Sequence, residues 1–261
     1  MPTLAELYVY PLKSCRGNAA ARALATTAGL LHDREWLLTT PEGEFITARS
    51  DPQLVSVVAE PWPGMVLFSA PGRPPIAALA TRYTGRARAQ VWGDAFDARH
   101  GDARVDEWFS ELIGRPCRLL WLGEASQRRR EVLAEPLSFA DGYPYLLANR
   151  ASLAALNAAI EPPVPMRALR PNLVVDCALP WAEDGWRRLR IGDVEFEVAS
   201  PCTRCVLTTI DPDTARRRTD GEPLKTLART RRHADGVHFG VNLVARNAGT
   251  LEIGASVEVI A

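Results

Sequence analysis

The sequence predicts a mainly β fold with a few accessory helices (α+β), of barrel or sandwich type rather than a doubly wound sheet. Three observations carry this expectation. Many short apolar-rich runs are bounded by proline, glycine or acidic turn residues, which is the pattern of strands and hairpins. Helical spacing is confined to three segments, and strands do not alternate regularly with helices as a parallel sheet would need. The 47% hydrophobic content is enough for a sizeable core.

Taken in order, Leu4–Tyr10 reads as the first strand and ends at Pro11. Glu35–Thr40 and Glu44–Thr47 flank Pro41-Glu-Gly43 and read as a hairpin. Leu54–Glu60 and Met65–Ser69 repeat the arrangement around Pro61-Trp-Pro-Gly64, and Ala89–Trp92 follows. Asp102–Ile113 carries Val105, Trp108, Phe109, Leu112 and Ile113 on one helical stripe, closed by Gly114. Strands are expected again at Arg118–Leu122, Asn172–Val175, Leu189–Ile191, Val194–Val198, Val206–Ile210 and Leu251–Val259, with Gly192-Asp193 as a turn. Ala151–Ile160 and Pro223–Thr230 read as two further helices. Ser126–Ser138, with Arg128-Arg129-Arg130, reads as a solvated crossing loop. A domain boundary is expected between about 95 and 140, dividing 1–95 from 96–261.

Charge and cysteine usage limit the function classes. The 31 basic residues balance 31 acidic ones, so neither a general nucleic-acid binder nor a membrane-surface binder is expected. Any anion site must be local. Five scattered cysteines do not form a disulfide framework. Neither a signal peptide nor an apolar run long enough to span a membrane is evident, so the expected location is cytoplasmic.

Four segments carry chemistry. In Tyr10-Pro-Leu-Lys-Ser-Cys15, Lys13 and Ser14 sit where a strand gives way to a turn, a place where donors converge on an anion. Lys13 is one of only two lysines beside 29 arginines, the other being Lys225. An ammonium point charge suits close approach to a phosphate or a cofactor heteroatom. In His32-Asp-Arg-Glu-Trp36, Arg34 is either a surface ion pair or a bidentate phosphate ligand, and Arg49 is a weaker candidate of the same sort. Leu169-Arg-Pro-Asn172 places a cation, Arg170, and an amide, Asn172, at the start of a strand. Ser200-Pro-Cys-Thr-Arg-Cys205 holds a C-x-x-C pair between two expected strands. Zinc would need two further ligands, and the four histidines show no ligand spacing. A thioredoxin-type pair should open a helix. What remains is either a buried structural cysteine or a thiolate beside Arg204, able to bind a redox metal.

Together with Phe45-Ile-Thr-Ala-Arg49 and Asp211-Pro-Asp213, these segments resemble MOSC-domain proteins that carry a MOSC N-terminal β-barrel domain. The resemblance is to the mitochondrial amidoxime-reducing component and its bacterial counterparts. Phe139-Ala-Asp-Gly-Tyr-Pro144, Ala182-Glu-Asp-Gly-Trp186, Ile191-Gly-Asp-Val194 and His238-Phe-Gly240 extend it over nearly the whole chain, from about Leu4 to Val259. It implies a MOSC β-barrel after an N-terminal MOSC-associated β domain. It further implies a molybdenum–pterin cofactor (Mo-molybdopterin) whose metal takes one protein ligand, Cys205. Thr203 and Arg204 would line the cofactor. Lys13, Ser14 and Arg34 would contact it from the N-terminal side and Arg170 from the other domain, with Asp141, Asn172 and Asn242 in the same pocket.

The implied activity is reduction of N-hydroxylated or N-oxygenated compounds, with electrons from a separate flavin, haem or iron–sulfur protein. Cys205, Asp141 and Arg204 are the catalytic candidates, the last two as proton donors. The alternative is a carrier of molybdenum cofactor or sulfur without turnover. Gly142-Tyr143 stands where eukaryotic relatives have Thr-Ser, which touches two cofactor contacts. No cysteine follows Cys205, so no iron–sulfur cluster is expected on this chain.

Overall fold

The computed structural model describes residues 1–131, 133 and 136–260. Its main sheet runs Val257–Val259, Arg188–Ile191, Val194–Thr203, Gly236–Ala245, Tyr145–Asn149, Leu173–Asp176, Thr3–Val9 and Asn18–Ala20, with Arg232–His233 added beside Gly236–Ala245. Neighbours are antiparallel except Tyr145–Asn149 and Leu173–Asp176, which run parallel. A parallel pair needs a crossover, and the helix Arg150–Asn157 lies within it. Three smaller sheets complete the β structure. One joins Trp36–Thr39, Arg118–Trp121, Asp94–His100 and Gly85–Val91; a second joins Gly249–Glu252, Arg22–Thr26 and Gly29–Leu30; a third joins Val58–Trp62, Met65–Ala70 and Arg73–Leu79. The fold is thus mainly β with accessory helices.

Four hydrophobic clusters are buried among the described residues, and the two largest organise most of these sheets. Leu54, Phe68, Tyr83, Phe109 and Leu119 belong to one; Leu4, Leu147, Val175, Phe196 and Leu243 belong to the other. The cores interleave in sequence. Thr3–Val9 is an inner strand of the main sheet, while the helix Ala103–Ile113 closes on the first core through Val105, Phe109 and Ile113. Sheet pairing therefore does not follow a cut of 1–95 from 96–261. Among the described residues no helix is long and apolar enough to cross a membrane.

Several expectations change in detail. Val206–Ile210 is not a strand: Val206–Thr209 makes one 3₁₀ turn. The hydroxyl of Thr208 donates to the Cys205 carbonyl at 2.9 Å and that of Thr209 to the Val206 carbonyl at 2.7 Å. Such local side-chain bonds compete with a sheet ladder. The objection to a redox pair based on a following strand falls with it. Leu54–Glu60 starts as a 3₁₀ turn, Pro52–Ser56, before the strand Val58–Trp62. Leu251–Val259 is broken by a turn at Gly254, whose φ is +92°. The hairpin after Trp36–Thr39 forms, but its return arm is a single bridge between Thr39 and Phe45. Arg128 is not in a solvated loop. It is 1% exposed and bonds Asp94 and the carbonyls of Ser138, Ala140 and Asp141. Residues 132, 134 and 135 of that stretch lie outside the described ones.

Candidate functional site

One cavity of about 420 Å³ opens at the seam of the two cores, lined from both sides. Lys13, Ser14, Arg34, Asp141, Arg170, Asn172, Thr203, Arg204, Cys205 and Asn242 all line it. Gly142 and Tyr143 line it too. Three of these residues occupy the left-handed region that non-glycine residues avoid: Ser14 at φ 71°, Arg34 at 53° and Arg170 at 55°. Arg170 caps the short helix Met166–Leu169, and Ser14 and Arg34 lie in turns. Strained backbone of this kind persists where the surroundings over-determine it, and it gathers at ligand sites.

Tyr10 anchors two of the cations. Its buried ring has the Arg34 and Arg170 guanidinium carbons each 4.4 Å from its centroid. Its hydroxyl donates to the Pro171 carbonyl at 3.0 Å, and burial pushes its pKa up to about 12. Arg170 donates to the Cys15 carbonyl at 2.7 Å. Arg34 bonds Asp33 and donates to Asn172 Oδ1 at 2.9 Å. Asn172 is spent inside the protein: Nδ2 donates to the Tyr8 carbonyl and to Asp33 Oδ1, both at 3.1 Å, and Oδ1 also accepts from the Leu146 amide. It fixes Arg34 rather than offering a free amide. Asn242 likewise spends its amide on Ser200 Oγ at 3.1 Å and the Pro201 carbonyl at 3.3 Å.

Lys13 is 6% exposed and donates to the Phe139 carbonyl at 2.7 Å and to Asp141 Oδ1 at 2.8 Å. Burial brings its pKa down to about 8, against the pull of Asp141. For Asp141, burial acts to raise the pKa. Lys13, Arg49 and the Trp92 N–H outweigh it and hold the carboxyl well below the usual range. An acid held ionised in this way is a poor proton donor, so Asp141 acts as the pivot of a charge cluster.

The two cysteines of the C-x-x-C pair have different cations. Arg204, expected beside Cys205, donates instead to Cys202 Sγ at 2.8 Å and to the Leu169 carbonyl at 2.5 Å. Cys205 is exposed, and its sulfur accepts from Arg49 Nε at 3.4 Å. Arg49, a minor candidate in the sequence, thus reaches the sulfur from a position 156 residues away. Trp92 carries no sequence signal, yet its indole N–H donates to Asp141 Oδ1 at 3.0 Å. His233 and His238, which show no ligand spacing, stack at 4.3 Å across the strand pair that ends beside the cavity.

Among the described residues, no group of three or more His, Cys, Asp or Glu is arranged to hold a metal. A metal at Cys205 would have to bring its other ligands with it. Arg204 Nε is buried without a partner, an orphan donor beside the cavity. Two cysteine sulfurs, four arginines and a lysine, set against Asp141 and Asp235, fit an anionic chelate of a soft metal better than a bare ion.

Residues 1–116 match the MOSC N-terminal beta barrel domain, and residues 134–258 match the MOSC domain. Mitochondrial amidoxime-reducing component 1 of Homo sapiens is 32% identical over 274 residues, which cover 97% of this chain and 81% of that protein. The Bos taurus mitochondrial amidoxime reducing component 2 is 30% identical, over 97% and 81%. A molybdenum cofactor sulfurase of Oryza sativa subsp. japonica is 31% identical over 92% of this chain, which spans 32% of that longer protein. With both domain models matched and the two amidoxime-reducing components this similar over most of their length, the chain belongs to the family of MOSC-domain proteins with a MOSC N-terminal β-barrel domain, the family of the amidoxime-reducing components.

Proposed function

We propose that this protein binds the molybdenum–pterin cofactor in the seam cavity and reduces N-hydroxylated compounds with electrons from a separate electron-transfer protein. The observation that carries this reading is the exposed Cys205 sulfur, held by Arg49 and standing in a cavity also lined by Lys13, Arg34, Arg170 and Arg204. Relatives named for amidoxime reduction support the choice of substrate.

Cys205 would supply the metal's protein ligand. Lys13, Arg34, Arg170 and Arg204 would neutralise the cofactor's phosphate without giving the molecule a net charge. When bound, the cofactor supplies two-electron, oxygen-accepting chemistry at its metal. The chain's own contribution is orientation. Asn172 and Asp33 fix Arg34, Tyr10 fixes Arg170, and Arg49 with Asp141 sets the position of the cysteine sulfur. Partly desolvated charge-assisted contacts of this kind are the strong ones.

The test is molybdenum and pterin analysis of protein made in a cofactor-competent host, with benzamidoxime reduction driven by reduced viologen. About one molybdenum per chain is expected in wild type, with loss of metal and turnover in Cys205→Ser. Metal and pterin absent from wild type, with Cys205→Ser indistinguishable from it, would overturn the reading. A second reading, a cofactor or sulfur carrier, has support in the sulfurase relative and in the second cysteine, Cys202, which has its own arginine. Bound cofactor without turnover on any of several N-hydroxylated substrates would select it.

A further inference from the structure

Trp92 occupies a turn position that does not suit it. Val91 pairs with Asp94, leaving Trp92 and Gly93 as a two-residue turn, and Trp92 has φ 56°. The chain builds a matching turn between Ile191 and Val194, where the first central residue is Gly192, also at φ 56°. Glycine takes this conformation freely; a bulky L-residue is strained there by roughly 1–2 kcal/mol. The same φ thus carries glycine at one turn and tryptophan at the other, and only the tryptophan touches residues that line the cavity, Asp141 and Arg49.

The side chain is well placed to act. Its indole N–H bonds Asp141, and the Arg49 guanidinium lies 4.6 Å from its ring centroid. Phe45 packs against it at 5.4 Å, in edge geometry. These contacts tie the ring to the rim through the same Asp141 and Arg49 that flank Cys205, yet 49% of the residue stays exposed. A rigid aromatic surface left half exposed beside two cavity-lining residues is a platform for a flat ligand.

We propose that Trp92 is a specificity-determining residue whose open face stacks the planar conjugated body of an aromatic N-hydroxylated amidine as its polar end enters the cavity. This rests on the reductase reading above.

The experiment compares benzamidoxime with acetamidoxime on cofactor-loaded wild type, Trp92→Phe and Trp92→Gly. It measures both equilibrium binding by calorimetry and viologen-driven kcat and KM. In Trp92→Gly the preference for benzamidoxime should fall three- to tenfold, mainly through KM, the size of one stacking contact. Trp92→Phe, which keeps a ring and loses the N–H, should stay within twofold of wild type. The glycine variant should melt at or above the wild-type temperature, because its turn is relaxed, so the loss is not unfolding. A preference unchanged in Trp92→Gly, or lowered equally in both variants, would overturn the proposal. If the loaded protein turns over neither compound, the binding data decide alone. Ring-dependent benzamidoxime binding would keep Trp92 in its role while removing the reductase reading, and ring-independent or absent binding would remove the role.

Discussion

Under the proposed function, Lys13 is a single side chain kept for a ligand rather than for the fold. Its ammonium is buried, and burial wins over the attraction of Asp141, so its pKa lies near 8 instead of 10.5. A base whose folded pKa is depressed destabilises the folded state below that pKa. The penalty, on the order of 3 kcal/mol, is full below pH 8 and fades as pH rises from there towards 10.5. Lys13→Met should therefore melt at or above wild type at pH 7 in cofactor-free protein. The gap should close as pH is raised through that window, as thermal melts across pH would show. The same variant should lose molybdenum and pterin in the loading assay, whereas exposed Lys225→Ala should lose neither. A Lys13→Met protein that melts well below wild type at pH 7 would instead make Lys13 part of the framework.

At the level of elements, the sequence is readable wherever a strong period meets a strong boundary. The helix Ala103–Ile113 has both: Asp102 accepts from the Arg104 amide at its start, Gly114 ends it at φ 74°, and Val105, Trp108, Phe109 and Ile113 are buried. Elements with weak or contrary signals are missed. Arg73–Leu79 contains Pro74-Pro75, which argues against a strand, but it lies at a sheet edge where a missing donor is tolerated. Asp94–His100 buries only Phe96 and Ala98 among charged residues. For the site, four motifs bring eight of the ten expected residues to one cavity, Asp141 and Asn242 coming from other segments, whereas the Arg49–Cys205 contact joins positions 156 apart and has no local trace. Gly240 shows how an element can hide its constraint. It lies within the strand Gly236–Ala245 at φ 73°, and a Cβ there would meet the Leu147 carbonyl at 2.4 Å. Gly240→Ala should cost about 3 kcal/mol or more in urea unfolding, since the obstacle is backbone and cannot turn aside. A loss below about 1 kcal/mol would mean that the two strands separate readily at this point.

Across the whole molecule, charge balance conceals a seam built from arginine, and Arg128 decides how that seam is set. It reaches from the 128–141 stretch to Asp94, on the strand that follows the Trp92 turn. Its Nε donates to Asp94 at 2.9 Å, and its Nη atoms donate to the Ser138 carbonyl at 3.0 Å and the Asp141 carbonyl at 3.1 Å. One fork therefore fixes the backbone of Asp141 to the hairpin that carries Trp92. Lysine has the charge without the fork. Arg128→Ala should cost about 3–5 kcal/mol, the penalty for breaking a buried, hydrogen-bonded pair, and Arg128→Lys a large part of it. Both should reduce molybdenum content by displacing Asp141. Because Arg128 is 1% exposed, added salt should barely change the loss. The exposed Arg22–Glu252 pair, with side chains 70% and 62% exposed, is the surface counterpart, and Arg22→Ala should cost less than about 1 kcal/mol at any salt. Denaturant unfolding of these three variants at low and high salt separates the cases. Equal, salt-sensitive losses at Arg128 and Arg22 would show that Arg128 is an ordinary surface cation and that the seam is set elsewhere.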